Sequence, residues 1–199
     1  MSRTPVQHRS KEKKRKIVVA GMKLFSEKGF HGTGITEIAQ QAEVAVGSFY
    51  SYFRDKSDLL DQVTESYAQS IIRGVYGNLY ENSKKINNGE KLTRYLVNAA
   101  RQAHSLSTEL HREMLALKNR NPKMAELDKA IVDTFTAETQ KILDNFDKTK
   151  VTDHKISAGL ITGAIEETMH RCLIEKQETD VDKAFNELVQ MCAGYLFHE

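Results

Sequence analysis

Residues 45–52 (AVGSFYSY) set four small, uncharged positions beside two aromatic hydroxyls. On a short helix, Ala45, Val46, Gly47 and Ser48 would form a smooth face, with Tyr50 and Tyr52 just beyond it. Such a face suits the major groove of DNA, where base edges present methyl groups and hydrogen-bonding atoms. Val46 can touch a thymine methyl, Ser48 can donate or accept a hydrogen bond, and Gly47 lets the backbone come close. Thr36, Tyr50, Tyr52 and Lys56 can reach phosphate oxygens, which fix register without reading sequence. The same spacing allows Val46 and Tyr50 to be core residues and Gly47 a weak point in the helix.

Other polar groups stand among apolar ones farther along the chain. His104, His111, Asn119 and His170 accompany Tyr67, Ile71, Tyr95, Met114 and Phe135. Pockets between bundled helices have this mix, so these nine are candidate contacts for a small molecule. Methionines and aromatics also fill ordinary cores. The run EETMH (Glu166 to His170) holds one half of a di-iron motif without a second copy. Hydrogen bonding is therefore the expected role of Glu166 and His170, and no metal is expected. There is no nucleophile elbow, Walker loop, dinucleotide fingerprint or HExxH, so neither an enzyme nor a cofactor is expected.

The elements that must position these residues read as helices. The chain has two prolines and no tryptophan, and no window alternates apolar and polar residues over a strand's length. The expected fold class is all-α. The net charge of +2 is uneven: residues 1–56 hold eleven Lys/Arg against five Asp/Glu, and the remainder carries a small negative balance. A basic first quarter points to an anionic partner for that part. Cys172 and Cys192 stand alone and read as reduced thiols. With no apolar run after the first charges and no stretch of membrane-span length, a cytoplasmic protein without membrane contact is expected.

Nine helices are expected. Residues 1–9 read as a flexible arm. The first helix covers about 10–28, its stripe formed by Ile17, Ala20, Gly21, Leu24 and Phe25. Its early lysines would oppose the helix dipole unless phosphates lie nearby. Gly29 caps its end. A second helix starts near Thr33 as N-cap, and a third covers 45–52 with Phe49 and Phe53 inward. A fourth opens on Asp55 and runs to about Tyr80. Further helices cover about 90–104, 107–119, 122–147, 153–176 and 180 onward, with Asn121-Pro122 and Asp180 as start signals.

Phe25, Gly29-Phe30, Thr33, Ile38-Ala39, Val44, Gly47-Ser48-Phe49-Tyr50, Tyr52-Phe53, Lys56 and Leu59-Leu60 together resemble the DNA-binding signature of the tetracycline-repressor (TetR) family. The resemblance covers about residues 13–62. It implies a helix-turn-helix domain at 10–56, a ligand-binding and dimerisation domain at 57–199, and a homodimeric regulator, usually a repressor. A small-molecule effector would release it from a palindromic operator in double-stranded DNA. Residues 45–52 match the recognition helix, and Tyr50, Tyr52 and Lys56 match phosphate-contacting positions. Three positions depart from the pattern. Glu43 replaces a turn glycine, at about 1 kcal/mol if left-handed. Ala45 replaces a capping Ser or Thr, at about 1 kcal/mol. Val46 replaces a frequent lysine.

The last two helices carry small residues, Gly159 and Gly163, and a stripe of Phe185, Leu188, Cys192 and Tyr195. Two such helices from each of two subunits would make a four-helix dimer interface. Burial within one chain would use the same stripe. The rival function is a DNA-binding protein of the same fold without ligand control, acting architecturally or through a partner.

Overall fold

Local capping chemistry sets several of the described helix starts. The computed structural model describes residues 5–73, 82–105, 107–119, 121–177 and 180–198, with the backbone alone for 5–7 and 71. Nine α-helices lie among the described residues: α1 (Pro5–Lys28), α2 (Ile35–Gln41), α3 (Val46–Tyr50), α4 (Lys56–Ile71), α5 (Gly89–Ser105), α6 (Thr108–Lys118), α7 (Pro122–Asp144), α8 (His154–Met169) and α9 (Val181–Leu196). The all-α expectation holds. Carboxylate or amide oxygens of Asp55, Asn88, Asp153 and Asp180 each accept the N–H three residues on, at 2.8, 2.9, 2.9 and 3.1 Å. Each satisfies a donor that the first helical turn leaves open.

Two starts differ from expectation. α1 begins at Pro5, inside the residues read as an arm, because proline at a first helical position costs no hydrogen bond. Thr33 is not the cap of α2. Its hydroxyl is buried and turns back to the carbonyls of Gly29 (2.9 Å) and Leu24 (3.3 Å), while Gly34 occupies the cap without a side-chain bond. The extension of α4 to Tyr80 lies outside the described residues.

The chain folds as two units. The first takes in the described residues up to Ala68 together with Glu109–Ala125; the second takes in Gln69–Thr108 and Glu126 onward. The division thus falls within α4, twelve residues past Lys56. In the first unit Ile17, Leu24 and Phe25 of α1, Ile38 and Ala39 of α2, Phe49, Phe53, Leu59 and Val63 are buried. A Cβ at Gly21 would stand 2.8 Å from Leu59 Cδ2, so glycine is what lets α1 and α4 close together.

In the second unit α5, α8 and α9 share one core with the end of α7, built on Leu92, Val97, Leu143, Ile161, Met169, Leu188 and Leu196. α8 ends in a π-helical turn, His170–Ile174. Phe197 closes the unit: its ring meets that of Phe146 edge-on, with centres 4.9 Å apart, and Lys150 N–H donates to Leu196 O at 2.9 Å. A Cβ at Gly89 would lie 2.3 Å from the Phe197 ring. Gly89→Ala is expected to destabilise the protein by about 1–3 kcal/mol despite alanine's higher helix propensity, because Phe197 must leave its seat. Urea unfolding of the pair measures it; an unchanged midpoint would show that the ring moves freely.

Candidate nucleic-acid interface

Seven residues of α2 and five of α3 have little cohesion of their own, so the turn and the surrounding side chains must fix them. α2 ends with Ala42, and Glu43 takes a left-handed conformation at φ 57°. Glu43 N–H donates to Gln40 O at 3.0 Å and Val44 N–H to Ala39 O at 3.0 Å. These are the two bonds of a Schellman turn, built with a glutamate where glycine is the unstrained choice. Ala45 precedes α3 in extended conformation, with no side-chain cap. The Glu43 carboxylate meets Lys16 Nζ of α1 at 2.9 Å, which holds its carboxyl below the usual carboxylate range.

Phe49 is the side chain that α3 buries, with ring contacts to Phe53 at 5.6 Å and Tyr50 at 5.4 Å. The opposite side faces out. Val46 is 38% and Tyr50 56% exposed, Ala45 and Gly47 are exposed, and Ser48 is half-buried. A Cβ at Gly47 would meet no described atom within 4 Å. This removes the alternative that Val46 and Tyr50 are core. Thr36 is exposed on α2. Tyr52 is half-buried, its hydroxyl 3.2 Å from Ser10 Oγ on α1.

Lys56 has a tighter setting than a phosphate contact alone requires. Its Nζ donates to Phe30 O (2.6 Å) and Thr33 O (2.7 Å) and lies 4.5 Å from the centre of the Phe30 ring. The ammonium therefore ties the start of α4 to the turn between α1 and α2. Two of its three hydrogens are used there, leaving one for a phosphate.

The basic run on α1 is also partly engaged. Because the helix begins at Pro5, Lys11 to Lys16 lie beyond its first turn, where the dipole falls off, and their placement is not unfavourable. Lys14 Nζ donates to Gln62 at 3.1 Å, Arg15 pairs with Glu12 at 2.7 Å and Lys16 with Glu43. Lys11 and Lys13 face solvent.

The nine residues expected at a small-molecule pocket divide between the units. In the first, Tyr67 and Met114 are buried, His111 half-buried and Asn119 exposed. In the second, Phe135 is buried and Tyr95 accepts a bond from Asn82 at 3.0 Å. The Ile71 side chain lies outside the described residues. Two second-unit cavities, of about 380 Å³ around Arg171, Glu187 and Met191 and about 370 Å³ around Asn88, Gln190 and Phe197, are lined by none of the nine. His104 and His170 do meet, with ring centres 5.4 Å apart, and Glu166 lies against both. Burial alone would lower the His104 pKa, but the Glu166 carboxylate outweighs it and raises it; for His170 burial prevails and lowers it. Sequence spacing paired Glu166 with His170 and missed His104.

The residues expected at a dimer interface also divide. Phe185, Leu188 and Cys192 belong to the second unit's own core; the Cys192 thiol is pushed up to about 11 by burial. Gly159, Gly163 and Tyr195 face outward, as do Ile156, Leu160 and Met191.

An exposed uncharged helix, held across a tight turn by a buried one and flanked by a basic helix, has the arrangement of a helix-turn-helix motif. The family profile of bacterial regulatory proteins, tetR family, matches residues 17–63. The HTH-type transcriptional regulator HbdR of Aromatoleum sp. (strain CIB) is 41% identical over 70 residues, which span 33% of this chain and 31% of that relative. The fatty acid metabolism regulator protein of Bacillus subtilis (strain 168) is 23% identical over 180 residues, spanning 88% of this chain and 91% of that one. The fold is shared with a protein of Mesorhizobium loti MAFF303099 described as a TetR-family transcriptional regulator, at TM-score 0.75 and 20% identity over 96% of this chain and 99% of that chain. It is also shared with Bacillus subtilis FadR, solved with stearoyl-CoA, at TM-score 0.66 and 20% identity over 91% and 98% of the two chains. No helix among the described residues is long and apolar enough to cross a membrane.

Glu43→Gly is expected to stabilise the protein by up to about 1 kcal/mol, raising Tm by about 2–4 °C, because glycine removes the left-handed strain. The lost ion pair is exposed and contributes little. Glu43→Ala keeps the strain and should give no gain. Thermal unfolding of both variants checks this; equal behaviour would show that the backbone at Glu43 is unstrained.

Proposed function

We propose that this chain is a sequence-specific DNA-binding transcription regulator, acting as a homodimeric repressor that a small molecule releases from its operator. The carrying observation is the outward face of α3. It offers a methyl-bearing side chain, a hydroxyl and an open backbone at Val46, Ser48 and Gly47, with no charge to bind DNA indiscriminately. Affinity then comes from phosphates at the flanks (Thr36, Tyr50, Tyr52, Lys11 and Lys13), and discrimination from residues 45–48.

One five-residue helix reads too few base pairs for useful affinity, and a two-fold dimer doubles them. The outward stripe of α8 and α9 supports such a dimer. Ile156, Gly159, Leu160 and Gly163 follow i, i+3, i+4, i+7, and Leu160 is 59% exposed. Met191, Gly194 and Tyr195 continue the stripe, with Ser157 Oγ 3.0 Å from Tyr195 OH between the two helices. Cβ atoms at Gly159, Gly163 and Gly194 would meet no described atom within 4 Å, leaving room for close helix packing. For the effector, the support is kinship alone: FadR of the same fold was solved with stearoyl-CoA and the multidrug binding protein EbrR with imidazole.

Gel shifts over genomic fragments are expected to select a palindromic site with half-sites about one helical turn apart. Binding that ignores sequence would overturn the reading. Tyr50→Phe should weaken binding evenly across sites, whereas Val46→Ala should relax preference at one base pair by about 1 kcal/mol. An unaltered preference in Val46→Ala removes it as a reader. Leu160→Glu should leave the helical circular dichroism intact but shift size-exclusion elution to a monomer and abolish the specific shift. A dimer that survives this change lies on another face.

A further inference from the structure

Within the second unit three ligand-type atoms converge, two of them from one helix face and one from another helix. Glu166 and His170 are four apart on α8 and its continuation, so they share a face. His104 comes from α5. Its Nε2 lies 3.3 Å from Glu166 Oε2, and His170 Nε2 lies 3.7 Å from the same oxygen. We propose that His104, Glu166 and His170 form a binding site for a divalent transition-metal ion of the zinc class.

The distances fit. Ligands held at 2.0–2.2 Å around a tetrahedral ion stand roughly 3.4 Å apart. One ligand nitrogen of His104 and one of His170 lie within 4.8 Å of each other. The donor set of two imidazoles and one carboxylate suits zinc, iron, cobalt or nickel and does not suit calcium or magnesium. It also leaves a coordination position open, the mark of a site that takes water or a small anion. Beside Glu166, a cavity of about 10 Å³ that neither histidine lines offers space on the order of one water.

The second shell is in place as well. His104 Nδ1 is 2.9 Å from Ala100 O, its partner one turn back on α5. A ring nitrogen donating to a carbonyl turns the other nitrogen's lone pair toward the metal, which is how ligating histidines are commonly oriented. The other nitrogen, Nε2, faces the Glu166 carboxylate, whose charge either a proton on His104 or a divalent cation shared by the three side chains would compensate. The site is nearly sealed, with side-chain exposures of 3%, 15% and 20% for His104, Glu166 and His170. Charge there is little screened, so an uncompensated carboxylate is costly. The carboxylates of Asp128 and Glu167 add further negative potential at His170. The backbone also departs from α-helix at this point. The π-turn begins at His170, with Glu175 N–H donating to His170 O at 2.9 Å, and π-turns concentrate at functional sites. The ordinary alternative is a buried ion pair between Glu166 and a protonated His104 with His170 as a neighbour.

The site is independent of the DNA reading, and its test uses no DNA. Chelator-treated, dialysed full-length protein is titrated with Co²⁺, read by its visible d–d absorption, and then with Zn²⁺ as competitor. The expected result is one Co²⁺ per chain with the intense bands of four- or five-coordination, a Kd in the micromolar range or tighter, and displacement by Zn²⁺. Glu166→Gln and His170→Gln should each weaken binding by at least about 100-fold while keeping the helical circular dichroism. His154→Gln, which alters the exposed His154–Asp144 pair instead (2.9 Å), should bind as before. No saturable binding below about 100 µM, only the faint bands of six-coordinate Co²⁺, or wild-type binding in Glu166→Gln or His170→Gln would each overturn the proposal.

Discussion

A five-residue helix with no cap cannot hold its own shape, and the burial of Phe49 supplies what it lacks. α3 makes little more than one turn, and turn nucleation is unfavourable without tertiary support. Phe49 is fully buried against Phe53 in a core shared with α1 and α4. That single inward side chain leaves the rest of the helix free to be small and uncharged. Gly47 is tolerable for the same reason: packing, not propensity, keeps the turn helical.

The surrounding contacts all constrain the angle at which that helix leaves the core. The Schellman turn at Glu43 sets its direction, and Lys16 holds the glutamate from α1. Lys56 ties α4 to the carbonyls of Phe30 and Thr33, and Thr33 turns inward to the end of α1. Each of these polar groups joins two elements that the hydrophobic core alone would allow to slide. Lys28 and Glu37 add a surface pair between α1 and α2. Such a site is made by geometry rather than by unusual charge.

The second unit follows a different logic. α8 buries one face and leaves Ile156, Leu160 and two glycines outside, so its apolar content exceeds what its own core can use. On α9 the same excess remains at Met191 and Tyr195. Inside, the unit carries a polar cluster at His104, Glu166 and His170, the one place among its described buried side chains where a carboxylate meets two imidazoles. Burying a carboxylate among imidazoles requires a compensating positive charge, whether proton or metal.

Much of this was legible in the chain itself. Asp55, Asn121, Asp153 and Asp180 announce helix starts because capping acts within three residues, a range that local sequence fully contains. The strain at Glu43 was legible too, through the resemblance, since Glu43 stands where the family pattern has a turn glycine. The start of α1 and the inward turn of Thr33 were not, because a proline or threonine fits more than one local role and packing selects among them. Nor could the stripe on α9 say which residues face inward. Phe185, Leu188 and Cys192 differ from Tyr195 only in which neighbour covers them. His104 joins Glu166 across a long stretch of chain, and only the packing of α5 on α8 brings them together. Sequence determined the helices and the small, uncharged residues of α3, whose causes are short-range; tertiary structure decided facing and convergence, because burial depends on neighbours far along the chain.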